Sequence, residues 1–219
     1  MIKIENVVLP TSEQWRAIIL SMRNPMNSWE KSDSKYIASR GGAGLPLVYS
    51  VGPNDRALMM KLCNAGTDHR KFMRMITVYV DITAPVFWWA EFDTYKIGVV
   101  RNSCSFMHKG VNKPFTIDDF SIMKDSEAEE DFQEALVWGQ FIELLNNLRD
   151  LYLETNDGKI FQSIRNLLPS GYMQKSTVML NYEVLSNMYH SRKNHKLDEW
   201  REFCGWVETL PYSELITGE

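Results

Sequence analysis

The chain has 219 residues, enough to bury about 70% of the surface that it exposes when unfolded, so a core can form without disulfides or metals. Its formal charge of -4 and pI near 5.7 exclude a protein that binds nucleic acid through a general positive charge. Three cysteines without CxxC spacing, no apolar run of membrane length and an N-terminus unlike a signal peptide lead us to expect a cytoplasmic globular protein with no membrane partner. No linker or repeat divides the sequence, so we expect a single domain over residues 1–219.

The first two elements are expected to be a strand and an amphipathic helix. Residues 3–9 have the composition of a short strand. Thr11 and Gln14 have the spacing of a capping box, which predicts the start of a helix at that point. The apolar stripe of this helix consists of Trp15, Ile18, Ile19 and Met22.

A polar segment follows, over residues 24–46, and we expect it to be a flexible loop. The glycines at 40–44 lack the GxxxxGK[ST] spacing of a phosphate-binding loop. A second helix is expected to begin at Pro53 and to stop near residues 64–66. Cys63 falls on the apolar side of this helix, so we interpret it as a core residue.

The clearest strand of the sequence is predicted over residues 72–83, where apolar and polar residues alternate. The apolar positions are Ile76, Val78, Val80 and Ile82. A short aromatic helix from Val86 to about Tyr95 then places Glu91 beside Trp88 and Phe92. Because an unpaired buried carboxylate is very costly, Glu91 either reaches solvent or has a hydrogen-bond donor.

Small polar residues then lie among cations between residues 96 and 109. The cations are Lys96, Arg101, His108 and Lys109, and the small residues between them are Asn102, Ser103, Cys104 and Ser105. Such a segment can form an anion-binding loop, although similar loops are common without a function. The thiol of Cys104 next to cations could act as a nucleophile, but no base can be placed beside it, so an incidental thiol is the simpler interpretation.

The C-terminal half is predicted to be mainly helical. An acidic stretch leads into the longest helix, over residues 131–153, whose broad leucine stripe suits a scaffold or a subunit interface. A short helix over 160–168 carries Arg165, and a final amphipathic helix covers about 197–210. This mixture of strands and helices indicates an α/β or α+β domain, with a mixed sheet packed against long helices.

The most informative stretch is residues 164–200, which we interpret as strand, turn and helix. Asn181 stands where a helix N-cap is expected, after a strand over 172–180. Arg192 is eleven residues further along and falls nearly on the same helical face, whereas Asn187 projects about 120° away. One arginine and two carboxamides suit a planar, hydrogen-bonding ligand. The alternative is an ordinary N-cap, a solvated asparagine and a surface arginine.

The same stretch resembles the C-terminal half of the flavin-dependent thymidylate synthases. The matching residues, without gaps, are Arg165, Leu168-Pro169, Asn181, Leu185, Asn187 and Arg192. The resemblance implies that Arg165 holds the nucleotide phosphate, that Arg192 contacts the pyrimidine, and that Asn181 and Asn187 touch the flavin. It also implies a mixed α/β fold that assembles as a homotetramer, with active sites built from several subunits.

The resemblance fails at the signature that follows Ala84-Pro85-Val86-Phe87. Glu91 stands where the family has a nucleotide-contacting glutamine. The family's Arg-His-Arg, which contacts flavin and nucleotide, falls on Thr94, Tyr95 and Lys96, so only one cation remains. The serine that completes the signature falls on Cys104, its neighbouring glutamate becomes Asn102, and a later arginine becomes Phe106.

These observations lead to one leading hypothesis and two alternatives. The leading hypothesis is a divergent enzyme that binds a dUMP-like nucleotide and adds a carbon at C5, with FAD as cofactor and NADPH and methylenetetrahydrofolate as co-substrates. In it Arg192 is catalytic, while Asn181, Asn187 and Lys96 hold the cofactor. The expected substrate-binding residues are Arg165, Glu91, Asn102, Ser103, Cys104 and Ser105. The alternatives are a nucleotide-binding protein without flavin and an unrelated interaction module. His190 and His195 have the wrong spacing for one metal, and we expect no metal site.

Overall fold

A computed structural model describes residues 1–38, 47–106, 110–122 and 130–218. The glycine-rich segment 40–44 and the cations His108 and Lys109 of the expected anion-binding loop lie outside these ranges. In the described ranges the chain forms six strands, Lys3–Val8 (β1), Lys35–Ala38 (β2), Leu47–Ser50 (β3), Thr77–Pro85 (β4), Val100–Ser103 (β5) and Met173–Asn181 (β6). The α-helices are Ser12–Arg23 (α1), Pro53–Asn64 (α2), Val86–Phe92 (α3), Glu130–Thr155 (α4), Gly158–Leu167 (α5), Tyr182–Arg192 (α6), Asp198–Glu208 (α7) and Glu214–Thr217 (α8). Short 3-10 helices cover Asn24–Met26, Trp29–Lys31, Lys71–Met75 and Ile117–Asp119.

Four strands form a sheet in the order β1-β4-β6-β5, and its two inner strands carry the clearest burial pattern. On β4 Val78, Val80 and Ile82 are fully buried, whereas Tyr79 between them is half exposed, as the alternation in the sequence predicts. On β6 Val178 and Leu180 are likewise buried. The structure contains both strands and helices, and β2 and β3 pair antiparallel, so of the two expected classes the α+β class is confirmed.

The close contacts within the chain define two compact units. The first consists of Met1–Lys3, Thr83–Asp93 and Ser103–Ser176, and the second of Ile4–Ile82, Thr94–Asn102 and the chain from Thr177 onward. Four of the five unit boundaries fall within the strands of the four-stranded sheet, and the fifth lies between Asp93 and Thr94, after α3. The prediction of a single domain over 1–219 stays a prediction.

The first unit has its own hydrophobic core, to which α4 and α5 contribute. The buried members of this core are Val111, Phe115, Phe120, Leu145 and Ile164. The helix expected over 131–153 is confirmed as α4, but its leucine stripe is only partly buried. Leu136, Leu144 and Leu151 are 54%, 46% and 45% exposed, so this chain alone leaves much of the stripe in contact with solvent. No helix in the described ranges is long and apolar enough to span a membrane.

The second unit contains the capped helix that the N-terminal sequence predicts. The backbone N–H of Gln14 donates to the Thr11 hydroxyl, and the Gln14 side chain accepts from the Thr11 N–H, so the capping box is present. All four residues of the expected stripe are buried, namely Trp15, Ile18, Ile19 and Met22. The prediction for α1 is therefore confirmed at its start and on its buried face.

Three sequence predictions in these units need correction. The strand expected from residue 72 begins at Thr77, and Lys71–Met75 is a 3-10 helix instead. Phe72 and Met73 are both buried. In a strand, consecutive side chains point to opposite faces, so a strand with one buried face would bury only one of the two. The helix expected to reach Tyr95 ends at Phe92.

The third correction concerns the polar segment 24–46, of which the described part is not simply a loop. It contains β2, which pairs antiparallel with β3 so that Tyr36 lies opposite Tyr49. The two rings meet edge to face with centroids 5.1 Å apart, and such cross-strand aromatic pairs stabilise hairpins. Neither strand shows a strong alternation, so the pairing was not visible in the sequence.

Candidate functional site

Asn181 and Asn187, the two residues expected to touch a flavin, line one pocket in the second unit. The pocket has a volume of about 400 Å³. The residues lining it are Thr67, Arg70, Arg74, Ile97, Gly98, Asn181, Glu183, Val184 and Asn187. The start of α6 therefore contributes to the lining, and the polar side chains of the pocket are two guanidinium groups, two carboxamides, one hydroxyl and one carboxylate.

Asn181 is the N-cap that the sequence predicts, and its amide also contacts Gly98, which lines the same pocket. Its Oδ1 accepts from the backbone N–H of Val184 at 3.0 Å, which satisfies one of the unpaired donors at the start of α6. Its Nδ2 donates to the carbonyl of Gly98 at 3.5 Å. Gly98 has a φ of +81°, and a Cβ there would lie 2.5 Å from that Nδ2. The close approach of this loop to Asn181 thus requires glycine.

Glu183 connects two arginines of the pocket to the first turn of α6. It accepts hydrogen bonds from Arg74, through Nε and, at 3.2 Å, through Nη2. Its Oε1 also forms an ion pair with the Nε of Arg70 at 3.4 Å. The hydrogen bond from Arg74 is the main reason that the pKa of Glu183 lies below its ordinary value, against the opposing effect of burial. Glu183 is therefore ionised over the physiological pH range.

Arg70 is less well satisfied than Arg74. Its Nη2 donates to the Oδ1 of Asn187 at 3.4 Å, which is long for a hydrogen bond. Its Nε is buried and, within the described part of the chain, has no hydrogen-bond partner despite the ion pair with Glu183. A buried donor without an acceptor is destabilising, and a ligand that supplies an acceptor would relieve this cost.

Arg192 lies at the end of α6 and is held by aromatic side chains. Its Nε donates to the hydroxyl of Tyr95 at 3.0 Å. Its guanidinium carbon lies 4.7 Å from the ring centroid of Trp200 and 5.7 Å from that of Tyr95. Its Nη1 is 3.0 Å from the Nε2 of His195, which must accept because arginine only donates. We call Tyr95, His195 and Trp200 the Arg192 cage.

The cage fixes the orientation of the Arg192 guanidinium. Cation–π contacts are worth about 0.5 to 2 kcal/mol each, depending on solvent exposure, and they restrict the rotation of the planar guanidinium group against the two rings. Trp200 is fully buried, so one wall of the cage belongs to the core of the second unit. Arg192 is therefore more than a surface arginine, although it is not among the residues that line the pocket with Asn181.

The remaining residues predicted to bind ligands have fewer described contacts. Arg165 is exposed in the last turn of α5, in the first unit. Glu91 is half-buried at the end of α3, and Lys96 is exposed. Asn102 and Ser103, at the end of β5, are also exposed. These assignments stay predictions.

Cys104 and Ser105 line a small cavity of about 110 Å³ in the first unit. The other lining residues are Phe106, Gly110, Tyr172, Met173, Gln174 and Lys175. The backbone N–H of Cys104 donates to the carbonyl of Lys175 at 2.9 Å, and the side chain of Gln174 donates to the carbonyl of Cys104 at 3.1 Å. Backbone contacts thus hold this segment, while the thiol itself is exposed.

Sequence reasoning missed Arg70, Arg74 and the cage residues. The cluster Arg70, Lys71 and Arg74 was a visible signal, because it places three cations within five residues. Tyr95 was compared only with the family's histidine and was not considered as a partner of Arg192. His195 was weighed only as a metal ligand.

The fold is that of the flavin-dependent thymidylate synthases. The structure is similar to ThyX from Helicobacter pylori with FAD and dUMP, with a TM-score of 0.67, 16% identity, and coverage of 99% of this chain and 97% of that chain. It is also similar to the UMP/dUMP methylase PolB from Streptomyces cacaoi bound with 5-Br dUMP, with a TM-score of 0.66, 15% identity, and coverage of 100% and 95%. Neither protein-family models nor curated protein sequences give a match. The likeness at this identity establishes the fold.

Proposed function

We propose that this protein is a divergent member of the flavin-dependent thymidylate synthase family that binds a pyrimidine deoxynucleotide such as dUMP. The observation that carries the proposal is the Arg192 cage, on the residue that the resemblance assigns to the pyrimidine. The Tyr95 hydroxyl, two aromatic rings and the His195 nitrogen hold this guanidinium in one orientation instead of leaving it to move in solvent. A fixed guanidinium is suited to stabilise negative charge on a pyrimidine ring in a site with little water.

The other nucleotide contacts follow from the resemblance. Arg165 would bind the phosphate, and Glu91 would contact the base, where a carboxylate accepts hydrogen bonds but cannot donate them as an amide does. The segment Asn102, Ser103, Cys104 and Ser105 would complete the substrate site.

The same proposal assigns a flavin to the pocket of Asn181 and Asn187. Its volume of about 400 Å³ is within the range of small-molecule sites, about 300 to 1,000 Å³. The two carboxamides suit the polar edge of a planar ring, and the buried Nε of Arg70 offers a donor that a ligand can satisfy. When bound, FAD supplies redox chemistry, with NADPH as the reductant and methylenetetrahydrofolate as the carbon donor. Lys96 would add one cation to this site.

We also propose that the protein works as a cytoplasmic homotetramer. The exposed leucines of α4 support this part of the proposal, because Leu136, Leu144 and Leu151 are each about half exposed on one helix. Apolar stripes of this kind are commonly covered in assemblies. A site completed by several subunits would also allow Arg165 and Arg192 to come from different copies.

A second candidate function is nucleotide binding without flavin chemistry. It is favoured by the residues at the family's Arg-His-Arg, where Tyr95 contacts Arg192 and only Lys96 is a cation. Loss of two charge-assisted contacts would weaken flavin binding by about 3 to 6 kcal/mol if nothing replaced them. In that case the protein would be colourless after purification but would still respond to dUMP.

Thermal unfolding with added nucleotides tests the proposal. We expect dUMP to raise the Tm of the wild-type protein, and Arg192→Ala to lower the Tm without ligand by a few °C, because its contacts with Tyr95 and Trp200 are lost, and to abolish the rise on adding dUMP. Arg56→Ala is a matched control, because Arg56 pairs with Glu214 on the surface and does not line the pocket. Release of FAD on denaturation would support the enzyme, and its absence the binding protein. An equal dUMP response in both arginine variants would contradict the proposal.

A further inference from the structure

Arg70 and Arg74 give the pocket of Asn181 and Asn187 an excess of positive charge. Among its lining residues are two guanidinium groups and one carboxylate, that of Glu183. The charge of Asp68 also acts on Arg74, although Asp68 is exposed and does not line the pocket. The pocket lining therefore carries a net charge of about +1, which favours an anionic ligand.

The contacts within the pocket do not use both arginines fully. Glu183 accepts two hydrogen bonds from Arg74, whereas its contact with Arg70 is an ion pair at 3.4 Å without a hydrogen bond. One carboxylate thus serves two guanidinium groups. The donor left without an acceptor within the described part of the chain, Nε of Arg70, is buried.

A purely structural role explains these arginines poorly. The pair of Arg74 and Glu183 links the 3-10 helix Lys71–Met75 to α6, but Arg74 is 51% exposed. Ion pairs at such exposure contribute little to stability. Arg70, the second arginine at Glu183, adds the cost of a buried N–H without a hydrogen-bond partner in the described part of the chain. A link between the two elements does not require this second arginine.

We propose that Arg70 and Arg74 bind the phosphate groups of the nucleotide ligand in this pocket. They would take over the charge-assisted contacts that Arg-His-Arg makes in the resembled family, here from a different element of the fold. The inference rests on the proposed function, because it assumes that the pocket takes a nucleotide. The ligand class is a phosphate-bearing nucleotide, with the flavin as the expected source of the phosphate and dUMP as the other source.

Affinities for a matched set of ligands test this inference. FAD, FMN and riboflavin share one ring system. FMN differs from riboflavin only by one phosphate, so the ratio of those two Kd values isolates a phosphate contact, whereas FAD adds a second phosphate together with adenosine. Because a hydrogen bond to a charged group is worth about 1.5 to 3 kcal/mol, we expect the wild-type protein to bind FAD about ten- to a hundredfold more tightly than riboflavin. Fluorescence quenching of the flavin gives each Kd without any enzymatic turnover.

Three variants and one control sharpen the test. Arg70→Gln and Arg74→Gln should each weaken FAD binding about tenfold and leave riboflavin binding nearly unchanged. Glu183→Gln removes the competing carboxylate, so it should tighten FAD binding and raise its sensitivity to salt. Arg56→Gln, on the same unit but outside the pocket, should change none of these values.

The outcomes separate this inference from the proposed function. If the two variants weaken dUMP binding and not FAD binding, the arginines bind phosphate and dUMP is its source. If FAD and riboflavin bind the wild-type protein equally, or the variants leave every ratio unchanged, the inference is overturned, whereas a dUMP response that depends on Arg192 still supports the function. If the wild-type protein binds neither dUMP nor any of the three flavins, both the inference and the proposed function are overturned.

Discussion

Replacement of Asp55 by alanine should destabilise the protein strongly, because it leaves a buried cation without its partner. Asp55 is fully buried, and its side chain accepts hydrogen bonds from Arg23 at 2.6 Å, from Ser32 at 2.6 Å and from Ser34 at 2.5 Å. Burial opposes the charge of Asp55, but the hydrogen bonds from both serines and from Arg23 hold its pKa below the ordinary value. The carboxylate is therefore ionised and its charge is compensated.

The expected cost follows from the burial of the partner. Arg23 is only 5% exposed, and breaking such a pair by removing one member typically costs about 3 to 5 kcal/mol. For a chain of this size each kcal/mol lowers the Tm by about 2 to 4 °C, so Asp55→Ala should lower it by about 6 to 20 °C. Urea unfolding followed by circular dichroism would give the change in the free energy of unfolding directly.

Two further variants identify the cause of that loss. Glu214→Ala breaks a pair whose arginine, Arg56, is 57% exposed, and should cost no more than about 1 kcal/mol. Adding Arg23→Met to Asp55→Ala removes the uncompensated charge and should recover part of the stability. The reasoning is refuted if Asp55→Ala costs no more than Glu214→Ala, or if the double variant is less stable by the full sum of both changes.

Three other predictions concern the pocket and the thiols. Because the hydrogen bond from Arg74 holds the pKa of Glu183 below its ordinary value, this contact contributes fully to stability above that ordinary value, and the contribution is lost as the pH falls through the lowered pKa. The stability of Glu183→Gln should therefore fall less steeply with decreasing pH than that of the wild-type protein. Identical acid-unfolding curves would contradict this role of Glu183. Gly98→Ala should lower both Tm and flavin affinity, since the added Cβ would lie 2.5 Å from Asn181 Nδ2; unchanged binding would contradict this close contact. Cys104 is exposed, whereas burial raises the pKa of the other two thiols to about 11, so mass spectrometry should find it alkylated first; modification of another cysteine first would disprove this.

The sequence predicted well those elements whose signals are local. The capping box of Thr11 and Gln14, the alternation around Val80 and the N-cap at Asn181 each depend on neighbouring residues, and all three are confirmed. The hairpin of β2 and β3 was missed because the pairing of Tyr36 with Tyr49 joins residues thirteen positions apart, with no strong alternation in either strand.

The candidate site shows the same limit more clearly. Asn181 and Asn187 were assigned to a flavin through the family resemblance, but Arg70 reaches Asn187 from 117 residues away along the chain. The cage around Arg192 depends on Tyr95, which is 97 residues distant. Such long-range partners are determined by tertiary packing, and neither the periodicity of the sequence nor a local motif predicts them.

Calorimetric titration of dUMP into the wild-type protein and into Arg192→Lys tests the central claim most directly, because lysine keeps the charge but not the planar group held by the cage. We predict saturable binding to the wild-type protein and binding at least about tenfold weaker to the lysine variant. Equal affinities, or no heat of binding to the wild-type protein, would contradict the assignment of this arginine to a pyrimidine nucleotide.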